Sequence, residues 1–267
     1  MRVWIVGVGN LGTAIVRSLL ASQHSADDIT LIERNPNDRK DLEDQFQCRV
    51  FGEIPEGIRL GTGDVLLLAI KPQDAALACA PLAAILHPES IVLSVLAGVS
   101  IKKLSGWLDH AKIVRSMPNL GASISESATA YYPSLEVTLE DLARIERIIA
   151  AMGKGWRVAD ESLIDVATAV AGSGPAYVCW LAEQVEQVAV ELGISSNDAH
   201  AIVLQTFRGA LLYLEHSQLS FSELRKRVTS PHGTTAAALS ILSQSQADLV
   251  IQAAIKAALK RAQELGA

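Results

Sequence analysis

Short apolar runs alternate with helical stretches through the first half of the chain. Val3–Val6 is apolar throughout and leads through a glycine-rich turn to Leu11, Ala14, Ile15 and Leu19 at helical spacing. Ile29–Ile32 is a second run, ending at Glu33. A turn over residues 34–38 precedes a charged helix to about Gln47, and residues 48–51 read as a third strand. Residues 52–63 carry Pro55, Gly57, Gly61 and Gly63 and read as loop. Residues 64–70 read as the clearest buried strand; Lys71-Pro72-Gln73 ends it, with Asp74 as the expected N-cap of the next helix. Residues 91–95, a helix over Ile101–Leu108 and residues 112–116 continue the alternation. A strand over 128–132, a helix over Leu139–Met152 and a strand over 155–159 complete it. Uninterrupted apolar runs separated by helices predict a doubly wound parallel sheet, covered on both faces, with its ligand crevice at the carboxyl ends of the strands.

The pattern changes near residue 160. Beyond it only helical periodicity is found, over 161–171, 175–192, 197–215, 221–228, 234–243 and 248–265. The first two segments are rich in Ala and Val and poor in charge. Helices apolar nearly all round must be covered on several sides. A bundle of this size cannot cover them all, which predicts a subunit interface. Trp180 and Tyr213, at helical spacings, read as core. Two domains follow, 1–160 and 161–267.

The first turn adds chemistry. Gly7-Val8-Gly9-Asn10-Leu11-Gly12 lies between a strand and a helix, where the first glycine permits the turn, the second a close approach of a pyrophosphate and the third helix packing. Glu33 stands 21 positions after Gly12, near the spacing of a ribose contact. The alternative is a βα turn with no ligand. With 267 residues, 49% apolar and 19% charged, the chain has the composition of a folded protein. A net charge of −6 argues against a nucleic-acid partner. Cys48, Cys79 and Cys179 are sparse and without metal-ligand spacing, which predicts reduced thiols, no metal and a cytoplasmic setting. No signal-peptide pattern or membrane-length apolar run is read.

Three further stretches concentrate candidate groups. Gly172-Ser173-Gly174-Pro175-Ala176-Tyr177 places a hydroxyl at a helix start, suited to a carboxylate, or is only a tight turn. Thr229-Ser230-Pro231-His232-Gly233-Thr234-Thr235 is a second such start, with Ser230 or Thr234 as a simple N-cap in the alternative. Arg115-Ser116-Met117-Pro118-Asn119 ends a strand at the nicotinamide end of the crevice, unless its arginine is a surface charge. His232 is a candidate general acid or a bystander. The other histidines, His110 among them, read as surface or helix residues.

On these stretches the chain resembles the pyrroline-5-carboxylate reductase family over essentially its whole length. Ala69-Ile70-Lys71-Pro72, Ala97-Gly98-Val99, Gln205-Thr206, Gly209-Ala210 and the closing Glu264-Leu265-Gly266 carry the resemblance further. It implies a Rossmann domain followed by an all-α dimerisation domain, in a homodimer that in some members assembles into larger rings. It implies hydride transfer from NADPH, with NADH the alternative, to the cyclic imine 1-pyrroline-5-carboxylate, giving L-proline. Carried over by position, Gly7, Val8, Gly9, Asn10, Leu11 and Gly12 would hold the pyrophosphate. Arg34 and Asn35 would face the adenine ribose, where the spacing from Gly12 also puts Glu33; Ala69, Ile70, Lys71, Pro72 and Ala97 would line the cofactor, and Asn119 would lie near the nicotinamide. Val228, Ser230, Gly233, Thr234, Thr235 and Ser173 would meet the substrate, with Thr235 as the hydroxyl at the ring nitrogen. Glu33 suits the ribose 2′-hydroxyl of NADH, whereas Arg34, Asn35, Arg39 and Lys40 favour the phosphate of NADPH.

The chain departs from the family pattern at Leu120-Gly121, where Thr-Pro is usual. Ser125, Ser127 and His232 stand where glycine is common, and Ala171 where serine is. These positions leave open a paralogue reducing a related cyclic imine, or a dinucleotide-binding sensor without catalysis. A β-hydroxyacid dehydrogenase is disfavoured, because no lysine occurs between Lys154 and Lys226.

Overall fold

The computed structural model describes residues 1–266. Eight strands form one sheet: β1 (Val3–Val6), β2 (Ile29–Ile32), β3 (Arg49–Phe51), β4 (Val65–Leu68), β5 (Ile91–Ser94), β6 (Ile113–Met117), β7 (Ser127–Pro133) and β8 (Gly153–Arg157). Their order is β3-β2-β1-β4-β5-β6-β7-β8. Every pairing is parallel except β6 with β7, where the chain doubles back antiparallel. The order reverses direction at β1, between β2 and β4, and such a reversal opens a crevice at the strands' carboxyl ends.

The helices of this part are α1 (Asn10–Ala21), α2 (Pro36–Phe46), α3 (Ala75–Ala83), α4 (Ile101–Leu108), α5 (Leu139–Met152) and α6 (Leu163–Ala167). The two-residue period of β1 sorts them. Val3 and Ile5 pack with Ile15 and Leu19 of α1, Leu42 and Phe46 of α2, and Ile145 and Ile149 of α5. Trp4 and Val6 point the other way, onto Cys79 and Leu82 of α3 and Leu104 and Leu108 of α4. Each apolar strand therefore feeds two cores at once, which is why it carries no polar alternation. A third, smaller cluster joins Met117, Ala130 and Ile164.

α7 (Gly174–Glu191), α8 (Ser196–Ser217), α9 (Phe221–Arg227), α10 (Thr234–Gln244) and α11 (Ala247–Gly266) follow. The chain divides into two compact units, Met1–Ser173 with the end of α11 from Ala257 onward, and Gly174–Lys256.

Several local expectations are corrected. Residues 161–171 do not form one helix: α6 is short and passes into a π-helical turn, Thr168–Gly172. Asp74 precedes α3 in helical conformation, and its side chain makes no capping bond. Neither Ser230 nor Thr234 caps α10; its N-cap is Gly233, without a side-chain bond. Trp180 and Tyr213 are 59% and 44% exposed in the single chain, not core. Val178, Leu181, Val185, Ile202, Leu211 and Leu212 are exposed as well, because the second unit is too small to cover helices that are apolar on more than one side. His110 is buried after α4 and donates through Nε2 to the Ser90 carbonyl at 2.9 Å. The three cysteines are free thiols; burial pushes the Cys79 thiol up to about 11. Among the described residues no helix is long and apolar enough to cross a membrane, and no cluster of three His, Cys, Asp or Glu side chains could hold a metal ion.

Candidate active site

The glycine turn between β1 and α1 is shaped by what lies against each glycine. Gly7 has φ +86°, and Ile70 fills the space where its Cβ would be. A Cβ on Gly12 would stand 2.3 Å from the Gly7 carbonyl oxygen, so α1 rests directly on the turn. Gly9 alone of the three has no neighbour within 4 Å of a Cβ position. It is the N-cap of α1, and no side chain occupies the first N–H groups of that helix. The open side of the turn thus presents backbone donors and the positive end of a helix dipole.

Glu33 braces this turn. Its Oε2 accepts from Val8 N–H and its Oε1 from Asn35 N–H, both at 3.0 Å. One carboxylate at the end of β2 therefore ties the glycine turn to the start of α2. Asn35 is the N-cap of α2: its Oδ1 accepts from Asn37 N–H at 3.1 Å and its Nδ2 donates to Asp38 at 2.7 Å. Arg39 Nη1 lies 3.4 Å and 3.3 Å from the carbonyls of Glu33 and Arg34 and closes the turn from behind. Arg34 itself reaches outward, 73% exposed and 3.7 Å from Asp74. A cavity of about 650 Å³ opens here, lined on its polar side by Gly7–Gly9, Glu33, Arg34 and Lys71 and on its apolar side by Ile54, Ala78 and Leu82. A second cavity, about 480 Å³, lies between β7 and the start of α5 and contains none of the candidate residues.

Ala69, Ile70, Lys71 and Pro72 follow β4 into a 3₁₀ turn, and Ala97 follows β5, at the same ends of the sheet. Asn119, past the end of β6, is engaged at both ends of its amide: Oδ1 accepts from Gly121 N–H at 3.0 Å and Nδ2 donates to the Ala171 carbonyl at 3.1 Å. Its backbone N–H donates to Ser127 Oγ at 2.9 Å, and Ser127 Oγ also bonds Thr129 Oγ1. Arg115 is not a surface charge. It is 2% exposed, with Nη1 3.3 Å from Glu161 and Nη2 bonded to Asp165. Its burial has no local signal in the sequence, because its partners Glu161 and Asp165 lie 46 and 50 residues further along the chain.

The remaining candidates gather elsewhere. Val228, Ser230, Gly233, Thr234 and Thr235 lie together in the connection from α9 to α10 and the first turn of α10, within the second unit, whereas Ser173 ends the first. Gly233 N–H donates to the Ser230 carbonyl at 3.1 Å, closing a tight turn. His232 sits in that turn at φ +60°, and Ser125 has φ +59°. Both conformations favour glycine.

The chain is similar to known proteins over nearly its whole length. A family model described as pyrroline-5-carboxylate reductase dimerisation matches residues 161–265. One described as NADP oxidoreductase, coenzyme F420-dependent, matches residues 2–98. A pyrroline-5-carboxylate reductase of Pseudomonas aeruginosa is 32% identical over 99% of this chain and 96% of its own length. The structure of a pyrroline-5-carboxylate reductase from Coxiella burnetii superposes with a TM-score of 0.89 at 29% identity, covering 100% of this chain and 98% of that one. That of a Plasmodium falciparum pyrroline carboxylate reductase with NADP bound gives 0.86 at 21% identity, with the same coverage.

Proposed function

The chain belongs to the pyrroline-5-carboxylate reductase family, and on that premise we infer that it reduces 1-pyrroline-5-carboxylate to L-proline with a nicotinamide dinucleotide. The likeness over 99% of the chain to a protein of that name carries the reading. The glycine turn suits such a cofactor, because the space beside Gly9 and the uncapped start of α1 leave room and donors for a pyrophosphate.

When bound, the reduced nicotinamide supplies the hydride. The imine carbon accepts it once the ring nitrogen carries a proton, so the residues' task is to align two rings and keep that proton in place. We assign the pyrophosphate to the Gly7–Gly12 turn and the lining of the cofactor to Ala69, Ile70, Lys71, Pro72 and Ala97. The substrate carboxylate and ring nitrogen go to Ser173, Val228, Ser230, Gly233, Thr234 and Thr235. Thr235 Oγ1 would hydrogen-bond the ring nitrogen; α10 starts without a side-chain cap, so its first N–H groups are available to the carboxylate.

NADPH is the preferred coenzyme in this reading. Both Glu33 oxygens already accept backbone N–H groups, while the exposed Arg34 guanidinium is only loosely paired and can meet a 2′-phosphate. A homodimer through α7, α8, α10 and α11 accounts for the exposed apolar residues of those helices, and the free thiols suit a cytoplasmic enzyme.

The test is oxidation of NADPH and NADH at 340 nm with pyrroline-5-carboxylate, using wild type and Thr235→Ala. Turnover that falls in the variant, with NADPH favoured, is expected. Cofactor binding without turnover would point to another cyclic imine or to a binding protein.

A further inference from the structure

The last residues of β6 and its extension address one partner. Arg115, Met117 and the extended Asn119 recur every second residue and so share a side of the strand. Arg115 bonds Glu161 and Asp165. Met117 packs against Ile164 and Ala167, and its Sδ lies 3.5 Å from the Cβ position of Gly172. Asn119 Nδ2 donates to the Ala171 carbonyl. All three therefore end on the segment running from Glu161 through α6 into the π turn.

Within that turn Ser173 N–H donates five residues back, to the Thr168 carbonyl at 2.9 Å. A π turn is uncommon and persists where outside contacts hold it, often at functional sites. Arg115 supplies the firmest hold. Its Nε is buried without a hydrogen-bond partner, so the two carboxylates carry the whole compensation of a buried cation. Glu161 Oε1 also accepts from Ile101 N–H at 2.7 Å, which extends the tie to the start of α4, just beyond the Ala97–Val99 loop.

We propose that Arg115, through Asp165 and Glu161, is a positioning residue for the substrate side of the site. It fixes α6 and the π turn, and thereby the orientation of Ser173. The inference rests on the assignment of Ser173 to the substrate. A guanidinium fork spans both acids, whereas the ammonium of a lysine cannot.

The test compares wild type with Arg115→Lys, Asp165→Asn, Ser173→Ala and the paired replacement Arg115→Met/Asp165→Leu. NADPH dissociation constant, KM for pyrroline-5-carboxylate and kcat are measured for each. Arg115→Lys should raise that KM by about tenfold, with NADPH affinity within about twofold. Asp165→Asn should shift KM in the same direction by less. If Arg115→Lys fails to fold, the apolar pair, which leaves no buried charge from these two residues, decides by the same criterion. An unchanged KM in a soluble, NADPH-binding Arg115 variant would overturn the inference, as would loss of imine and coenzyme binding in parallel. A raised KM in Ser173→Ala beside an unchanged one in Arg115→Lys refutes the positioning role alone. An unchanged KM in Ser173→Ala refutes the substrate assignment beneath it.

Discussion

Gly9 and Gly12 lie three residues apart in one turn, and adding a methyl to each should have opposite consequences for folding. A Cβ on Gly12 would stand 2.3 Å from the Gly7 oxygen and 3.7 Å from Ala69 Cβ. A carbon–oxygen contact needs roughly 3.3 Å, so α1 would have to retreat by roughly 1 Å. Gly7 cannot yield instead: its N–H donates to the Ile32 carbonyl at 3.0 Å and Ile70 occupies its other side. Overpacking of this kind costs about 1–3 kcal/mol, which lowers the unfolding midpoint by about 2–10 °C in a chain of this size. The start of α1 moves with it, so NADPH affinity should fall by about tenfold or more. At Gly9 the backbone is extended, with φ −71° and ψ −162° and no left-handed strain for alanine, and nothing lies within 4 Å of a Cβ position. Gly9→Ala should therefore stay within about 0.5 kcal/mol of wild type while losing NADPH affinity, because its methyl occupies the space assigned to the pyrophosphate. Thermal unfolding without coenzyme and NADPH titration by fluorescence read the two effects separately. A Gly12→Ala protein as stable as wild type would refute the packing argument. A Gly9→Ala protein that binds NADPH normally would refute the pyrophosphate assignment.

His232 occupies a left-handed conformation in the turn before α10, so His232→Gly should unfold at a higher temperature than His232→Ala, by the equivalent of about 0.5–1 kcal/mol. Equal midpoints would contradict that strain. His110 titrates against the fold: burial holds its pKa below the usual value, although the hydrogen bond to the Ser90 carbonyl works the other way. The unfolded chain then binds the proton more readily, so stability is full above the unfolded value of about 6.5 and declines as pH falls through the depressed folded value. His24 is shifted the same way, chiefly by burial, and adds to the effect. The drop in unfolding midpoint between pH 7.5 and pH 5.5, a window chosen around about 6.5, should be smaller in His110→Gln than in wild type; an equal drop would remove His110 from the account.

The glycine turn, β1, β2, α4 and α5 were legible from residue order, because each is signalled by neighbours within a few positions. Apolar residues repeat every two or 3.6, Ser100 and Thr138 cap the helices they precede, and glycine falls where the chain must turn. The same local reading marked α7 as too apolar to stand alone. It could not tell that Arg115 is buried, since its partners Glu161 and Asp165 are 46 and 50 residues away and a charge is tolerated inside only if a distant element delivers the opposite charge. Nor could it tell that both Glu33 oxygens are taken by Val8 and Asn35, that β7 returns antiparallel, or that Ser125 and His232 keep a backbone conformation suited to glycine. Sequence alone determined the elements, the turn that suits a dinucleotide and the over-apolar second half, because those depend on interactions along the chain. Only tertiary structure decided which polar groups are already spent holding the site together, because hydrogen bonds and ion pairs between elements exist only once the sheet and helices bring their ends into contact.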